Sequence, residues 1–558
     1  MKYNTFSSIS VLFLLSVLIM LRQLISPGYF SCIIQDTFDY TSWSWQFTEA
    51  LKEGVIYPRW SPLSYWGYGS PAFVLYPPLP FYFVAFFNLF TNSVIAAMNV
   101  TKLTALFFSA TGMFFFVKQF YSETIAFFTA IFYILFPYII FGLYYSGTFG
   151  SVIALIWFAP ILFFLYRYIN CGRYDYIIYA GVCYGGLILT HLINAYIFSF
   201  VIVAFTIYMS MMKKKPKDLI AIPLIFIVGL LTSAFYLLPL IYEKQFINTG
   251  AFIEEGFNFA HFFILPNLTN KLPAGSFWPV YYNIHVFYSG LFLILITMFS
   301  VRILKSRNTR AKEHIYAVNI FFVCIALFSM FLLLGVSSFL WEHIPLFKYI
   351  QFPYRWLNIT TFAVVFLSAA GFFLHNDVYQ TKRRHNLLIA SLFSIFFLIN
   401  FKYISSANLF TEEELIPVKP ATSNVGNMPI GIDIATITST DNREKIALLK
   451  GKGNFDVVLW QSAERIIEVT AQQLVTLRMR TFNFPGWKAY IDGIPTGIIT
   501  EELTGAILIN VPPGKHRLVI KFEDTPVRYY SKVISLVSLL GIVSMLALCK
   551  KKNYEDEK

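Results

Sequence analysis

Long apolar runs separated by short polar segments dominate the chain. A helix needs about 20 apolar residues to cross a bilayer. Runs of that kind occur at 9–26, 94–117, 124–141, 149–166, 176–192, 195–212, 219–241, 284–304, 315–338, 356–374, 387–404 and 531–548. They predict an all-α polytopic transmembrane bundle of about twelve spanning helices. One more stretch, 76–90, is apolar but short, and it opens on Pro77, Pro78 and Pro80. The pattern changes near residue 406. Val475, Leu477 and Met479 alternate with Thr476, Arg478 and Arg480, and Leu518, Ile520 and Phe522 alternate with Val519 and Lys521. That is the period of half-buried strands. Asp492-Gly493 and Pro513-Gly514 read as turns between them. Three regions follow: a membrane module at 1–405, an antiparallel β-sandwich at 406–528, and a final helix with a basic tail at 529–558.

Composition agrees with this pattern. The 558 residues are 57% hydrophobic and 13% charged, against about 25% charged in soluble domains. The net charge of +13 suggests nucleic acid, but its distribution does not. Basic residues cluster between apolar runs, at Lys213–Lys217, Lys305–Lys312, Lys382–Arg384 and Lys550–Lys552. Such clusters mark the cytoplasmic ends of spanning helices. If 76–90 crossed the membrane, later clusters would fall alternately on the wrong side. If it lies in the interface, all fall inside. Both termini are then cytoplasmic. The loop 28–93, the turn at 145–147, the loop 242–283 and the region 406–528 face outside. The five cysteines form no CxxC or His/Cys cluster, so neither a zinc site nor a disulfide framework is implied. The first run has no small-residue cleavage site and reads as a retained helix.

Ionisable groups at membrane depth are costly and are candidates for function. Lys102, in the outer half of its span, either snorkels to the interface or meets an anion such as a lipid phosphate. Asp36 and Asp39 follow the first span directly. A carboxylate there can act as a general base or hold a divalent cation. Alternatively, Asp39 caps a helix over 41–52 and Asp36 is merely solvated. Trp43, Phe47, Ala50 and Leu51 would form one face of that helix. Arg59 can clamp a phosphate or pair with an acid. His191 ends a span at the outer face, and Arg355 opens one. No nucleotide, metalloprotease or serine-nucleophile motif occurs.

Several segments together resemble a known family. They are Asp36, Tyr57-Pro58-Arg59-Trp60, Gly67-Tyr68-Gly69-Ser70-Pro71, Tyr76-Pro77-Pro78-Leu79-Pro80, Thr190-His191, the stretch from Pro345 to Arg355, and Phe484-Pro485-Gly486-Trp487 with Asp492-Gly493. They are similar to bacterial polytopic membrane proteins with a GT-C glycosyltransferase-like fold, known as 6-pyruvoyl-tetrahydropterin synthase-related membrane proteins. The resemblance implies an inner-membrane enzyme that inverts a sugar as it moves from a polyprenyl-phosphate carrier to a glycan, lipid or protein acceptor outside. Asp36 and Asp39 would be catalytic. Arg59, Lys102, Arg355 and His191 would hold the carrier phosphate. Membrane lipids are further partners; nucleic acid is not. The resemblance fixes no cofactor, and a divalent cation is the one candidate left open. Ser146 and Ser151 stand where the family often carries Arg and Glu, and Gln35 where His is common. That keeps a non-catalytic envelope assembly or glycan-binding factor as the alternative, ahead of a transporter, for which no internal repeat is present.

Overall fold

A computed structural model describes residues 5–31, 34–252, 258–263, 313–378, 400–415, 427–439 and 444–556. The expected span at 284–304 and most of that at 387–404 lie outside the described residues. Six described helices are long and apolar enough to cross a membrane. They are α1 (Thr5–Ile25), α4 (Val94–Val117), α7 (Phe149–Cys171), α9 (Leu192–Met212), α12 (Glu313–Phe331) and α14 (Pro526–Asp556). Two bent pairs raise the number to as many as eight. In the first, α5 (Glu123–Ile134) meets α6 (Pro137–Tyr144) at 42°. Pro137 forces the break, because the residue before a proline is pushed out of the helical region, and Phe136 is extended. In the second, α10 (Ala221–Thr232) with its preceding turn meets α11 (Ala234–Glu243) at 79°. The shorter apolar helices are α3 (Leu79–Thr91) and α8 (Asp175–Thr190). α13 (Leu357–Val378) follows Arg355.

Aromatic packing fills the bundle. Phe158 lies flat on Phe198 at 4.4 Å, and Phe322 meets Phe366 at 4.2 Å. Small residues allow close approach elsewhere. A Cβ on Gly181 would lie 2.6 Å from Val228, and one on Gly185 would lie 2.3 Å from Thr232. This Gly-x-x-x-Gly pair lets α8 and α10 touch backbone to backbone, a common device between membrane helices.

Cross-links between helix ends group the loops by side. Lys118 donates to Thr5 at 2.7 Å and to Glu123 at 3.1 Å, so the start of α1, the end of α4 and the start of α5 are neighbours. At the other end, β1 (Gly28–Ser31) pairs antiparallel with β2 (Asn408–Thr411). α3 is held near both ends: Tyr82 donates to the Ile56 carbonyl at 2.7 Å, and Ser93, which caps the next helix, donates to Glu412 beside β2 at 2.6 Å.

The C-terminal region is rich in β-structure. One antiparallel sheet has the order β3-β6-β10-β9, formed by Ile446–Lys450, Val475–Phe482, Ala506–Val511 and Ile499–Thr500. The other has the order β4-β5-β11-β7-β8, formed by Gly453–Trp460, Glu464–Ala471, Gly514–Phe522, Trp487–Ile491 and Ile494–Thr496. Val475, Leu477 and Met479 from the first sheet share one buried cluster with Ile467, Leu518 and Ile520 from the second. Asp492 and Gly493 make the β7–β8 turn with φ of 51° and 82°, the doubly positive geometry of a tight hairpin.

The segment 57–76 packs onto this β-rich region. Trp60 is buried against Phe484, Trp487 and Phe522, and the Tyr68 carbonyl accepts from Phe482 N at 2.8 Å. Gly69 sits at φ +80°, and a Cβ there would lie 2.3 Å from Trp60 Nε1. Only glycine lets the backbone pass so close to the indole in that conformation. Below the sheets, Arg528 and Glu243 form a bidentate ion pair with both side chains fully buried, at 2.7 and 2.8 Å. Arg528 also donates to the Pro485 carbonyl at 2.8 Å, so one guanidinium joins α11, α14 and the β-rich region.

Candidate active site

The helix expected at 41–52 begins earlier: α2 runs Ile34–Lys52 and carries Asp36 in its first turn. Asp39 therefore lies one turn inside the helix and is not its cap. The face formed by Trp43, Phe47 and Ala50 is buried, with Phe47 against Phe73 and Phe81. The helix rests on protein rather than on lipid.

Asp36 and Asp39 share one face of α2, three residues apart. Asp39 is buried. Asp36 keeps accessible surface although protein surrounds it on most sides, as a group lining a recess does. Desolvation raises the Asp36 carboxyl above the usual range, and the Arg355 guanidinium opposes that rise. Desolvation and the charge of Asp36 push Asp39 up to about 7. For Asp39, burial and the neighbouring carboxylate both favour the protonated form.

Arg355 lies on the turn that opens α13. It donates to the Ile350 carbonyl at 2.6 Å and to Gln351 Oε1 at 3.3 Å, and it forms no ion pair among the described residues. The preceding loop holds Leu346 and Gln351 at φ of 67° and 63°. Such strain is uncommon in non-glycine residues and collects at functional sites.

His191 sits between α8 and α9, outside both. Its Nδ1 accepts the Asn194 N–H at 3.1 Å and so caps α9. Desolvation, reinforced by Arg355, pushes the imidazole down to about 3. The ring is therefore neutral, and with Nδ1 accepting, its proton is on Nε2. A Cβ added at Gly150 would lie 3.1 Å from the Tyr40 hydroxyl and 3.5 Å from His191 Cδ2, so Tyr40 of α2 and His191 are near neighbours. Beside them, Asn358 donates to Ser151 Oγ and to Asn194 Oδ1, and Asn194 donates to Ser151 Oγ, each at 3.1 Å. This triangle joins α7, α9 and α13 at the same end of the bundle. Ser146 pairs instead with Thr148 at 2.7 Å.

Asp36, Asp39, His191 and Arg355 thus come together. Lys102 and Arg59 do not figure among the charges acting on them. Lys102 is fully buried; it donates to the Leu143 carbonyl at 3.2 Å and lies 3.7 Å from the centre of the Tyr29 ring. It neither snorkels nor opens onto the recess. Arg59 donates to the Phe235 carbonyl at 3.0 Å, near the seam with the β-rich region. Tyr40, Asn194 and Asn358 were missed from the sequence. The two asparagines carried a signal, since an amide within or at the end of an apolar span needs a partner. Among the described residues, no group of three or more His, Cys, Asp or Glu side chains gathers as a metal site.

A profile of the 6-pyruvoyl-tetrahydropterin synthase-related domain, a membrane protein family, matches residues 73–406, more than half of the chain. The chain belongs to this family. As a 6-pyruvoyl-tetrahydropterin synthase-related protein it is an integral membrane protein. The matched segment includes Lys102, Ser151, His191 and Arg355, and begins after Asp36, Asp39 and Arg59. No curated protein matches the chain.

Proposed function

We propose that this protein is a membrane glycosyltransferase that moves a sugar from a polyprenyl-phosphate carrier to a cell-envelope acceptor. We take it to lie in a bacterial cytoplasmic membrane, with a GT-C-like arrangement of about twelve spans. Both termini would be cytoplasmic, and the two sheets would form an external β-sandwich over the membrane. The observation that carries the reading is Asp36, next to Asp39 on α2 and within electrostatic reach of Arg355, in a recess at one end of the bundle. One carboxylate of the pair takes the proton of an acceptor hydroxyl. The hydroxyl oxygen bonds to the anomeric carbon as the carbon–oxygen bond to the carrier phosphate breaks, with inversion. The departing phosphate takes the bonding electrons, and in this reading Arg355 and the His191 Nε2–H meet its charge. The raised affinity of the pair for a proton suits a base that works near neutral pH. Incubation with polyprenyl-phosphate sugars tests the reading: wild type should release free polyprenyl phosphate, and Asp36→Asn should not.

A second reading, a non-catalytic glycan-binding or assembly factor, is favoured by one observation. Ser151 is engaged with Asn194 and Asn358 in an uncharged triangle beside the recess. Binding of a glycan by both wild type and Asp36→Asn, with no turnover by either, would support it.

A further inference from the structure

A cavity of about 300 Å³ lies where the segment after α2, the edge of the β-rich region and the first turns of α14 meet. Arg59, Arg528 and Lys532 all line it. Two of these cations have acids of their own. Arg528 holds Glu243 in the buried bidentate pair, and Lys532 reaches Asp524 at 2.5 Å. The remaining acid of the lining, Glu523, pairs with Lys488 at 2.8 Å. Arg59 is the lining cation that has no carboxylate partner among the described residues. It is 4% exposed, and its Nε and Nη1 have no hydrogen-bond acceptor there. Its contacts are one carbonyl through Nη2 and the face of Tyr57, 4.2 Å from the ring centre. Glu243 and Asp524 act on it only from a distance, each already paired with another cation; an arginine does not lose its proton in a protein, and a buried cation without a carboxylate of its own is unfavourable. The site is thus one negative charge short.

The surroundings indicate what carries that charge. Val533, Leu536, Val537 and Leu540 on the following turns of α14 are exposed and apolar, the surface expected of a helix that faces lipid. Tyr529 and Tyr530, also exposed, precede them, as aromatic residues do where a span enters the interface. An anion seated at Arg59 would have an apolar track leading away from it along α14. A phosphodiester carries one negative charge, which equals the deficit. We propose that this cavity binds a phosphate group, that of a phospholipid headgroup whose chains follow α14. The inference does not depend on the transferase reading, because the cavity is distinct from the Asp36 recess.

The test uses full-length protein in detergent with added phosphatidylglycerol, and counts retained lipid by native mass spectrometry. Two variants accompany it. Arg59→Gln removes the charge, and Ala463→Phe fills the cavity without touching the Arg59 contacts. Wild type should retain lipid, and both variants should bind it about tenfold or more weakly. Inorganic phosphate is the competing probe. If it fails to displace the lipid, the headgroup together with its chains is the ligand. If it displaces the lipid at low concentration, the phosphate site stands but the lipid assignment falls. Equal retention by wild type and both variants would overturn the proposal. So would a loss of folded protein in Arg59→Gln with normal binding in Ala463→Phe, since Arg59 would then be a structural prop.

Discussion

Replacing Glu243 with Gln would leave the Arg528 guanidinium buried with its paired counter-charge gone. Both side chains are fully buried, and the two bonds between them are 2.7 and 2.8 Å. Removing the charge from one member of such a pair costs about 3–5 kcal/mol, since the other member keeps its desolvation penalty. Thr525, which donates to Glu243 Oε1 at 3.1 Å, would keep its bond to the Gln oxygen, so the loss belongs to Arg528. In the double variant Glu243→Gln/Arg528→Gln the unpaired charge disappears. Its stability should lie above the sum of the single losses by about 2 kcal/mol or more. The assay is denaturant unfolding in mixed micelles, followed by tryptophan fluorescence, for the four members of the cycle. Because Arg528 also holds the Pro485 carbonyl, limited proteolysis should show the β-rich region loosening first in Glu243→Gln. A loss below about 1 kcal/mol, or additivity within the cycle, would refute the reasoning.

Other expectations follow from the same structure. Asp39 titrates near 7 when folded and near 3.9 when unfolded. A raised carboxyl contributes stability that is present below about pH 4 and lost as pH rises through about 7. Asp39→Asn should therefore be more stable than wild type at pH 8, by up to about 4 kcal/mol, and closely matched at pH 4. Equal differences at both pH values in denaturant unfolding would contradict the assignment. Gly69→Ala would drive a methyl into the Trp60 indole from a positive φ. It should cost about 2 kcal/mol or more, read as faster proteolysis between 57 and 76. Lys102→Met should alter stability while leaving turnover within about threefold of wild type. A large fall in turnover with normal folding would return Lys102 to the site.

The bundle was legible because the membrane imposes one strong constraint, long apolar helices, and 94–117 was read to the residue as α4. The two tight bends were less so: Pro137 announces one, but nothing in the apolar run around Ser233 distinguishes the 79° break from a straight span. In the β-rich region, alternation at 475–480 identified a strand, yet Arg478 is buried because Glu501 pairs with it at 2.8 Å. A cross-strand partner of that kind is invisible to periodicity. The recess was half legible. Asp36, Asp39, His191 and Arg355 stand out as ionisable groups in an apolar chain. The clustering that selects them over Lys102 and Arg59 depends on how α2, α9 and α13 converge, which spacing alone does not encode. The segments 57–60 and 67–71 were read as part of a family signature, with Arg59 as a phosphate contact. In the structure, Trp60 and Tyr68 are buried in the contact with the β-rich region, while Arg59 lines its own cavity.

The most direct test of the central claim is release of free polyprenyl phosphate, followed by mass spectrometry, from purified full-length protein in lipid with an extract of envelope acceptors. Wild type, Asp36→Asn and Arg355→Gln would be compared at pH 6 and pH 8. The account predicts release by wild type that is greater at pH 8, as the carboxylate pair ionises, and little or no release by either variant at both values. Release by Asp36→Asn at the wild-type rate would contradict the assignment of Asp36 to the reaction.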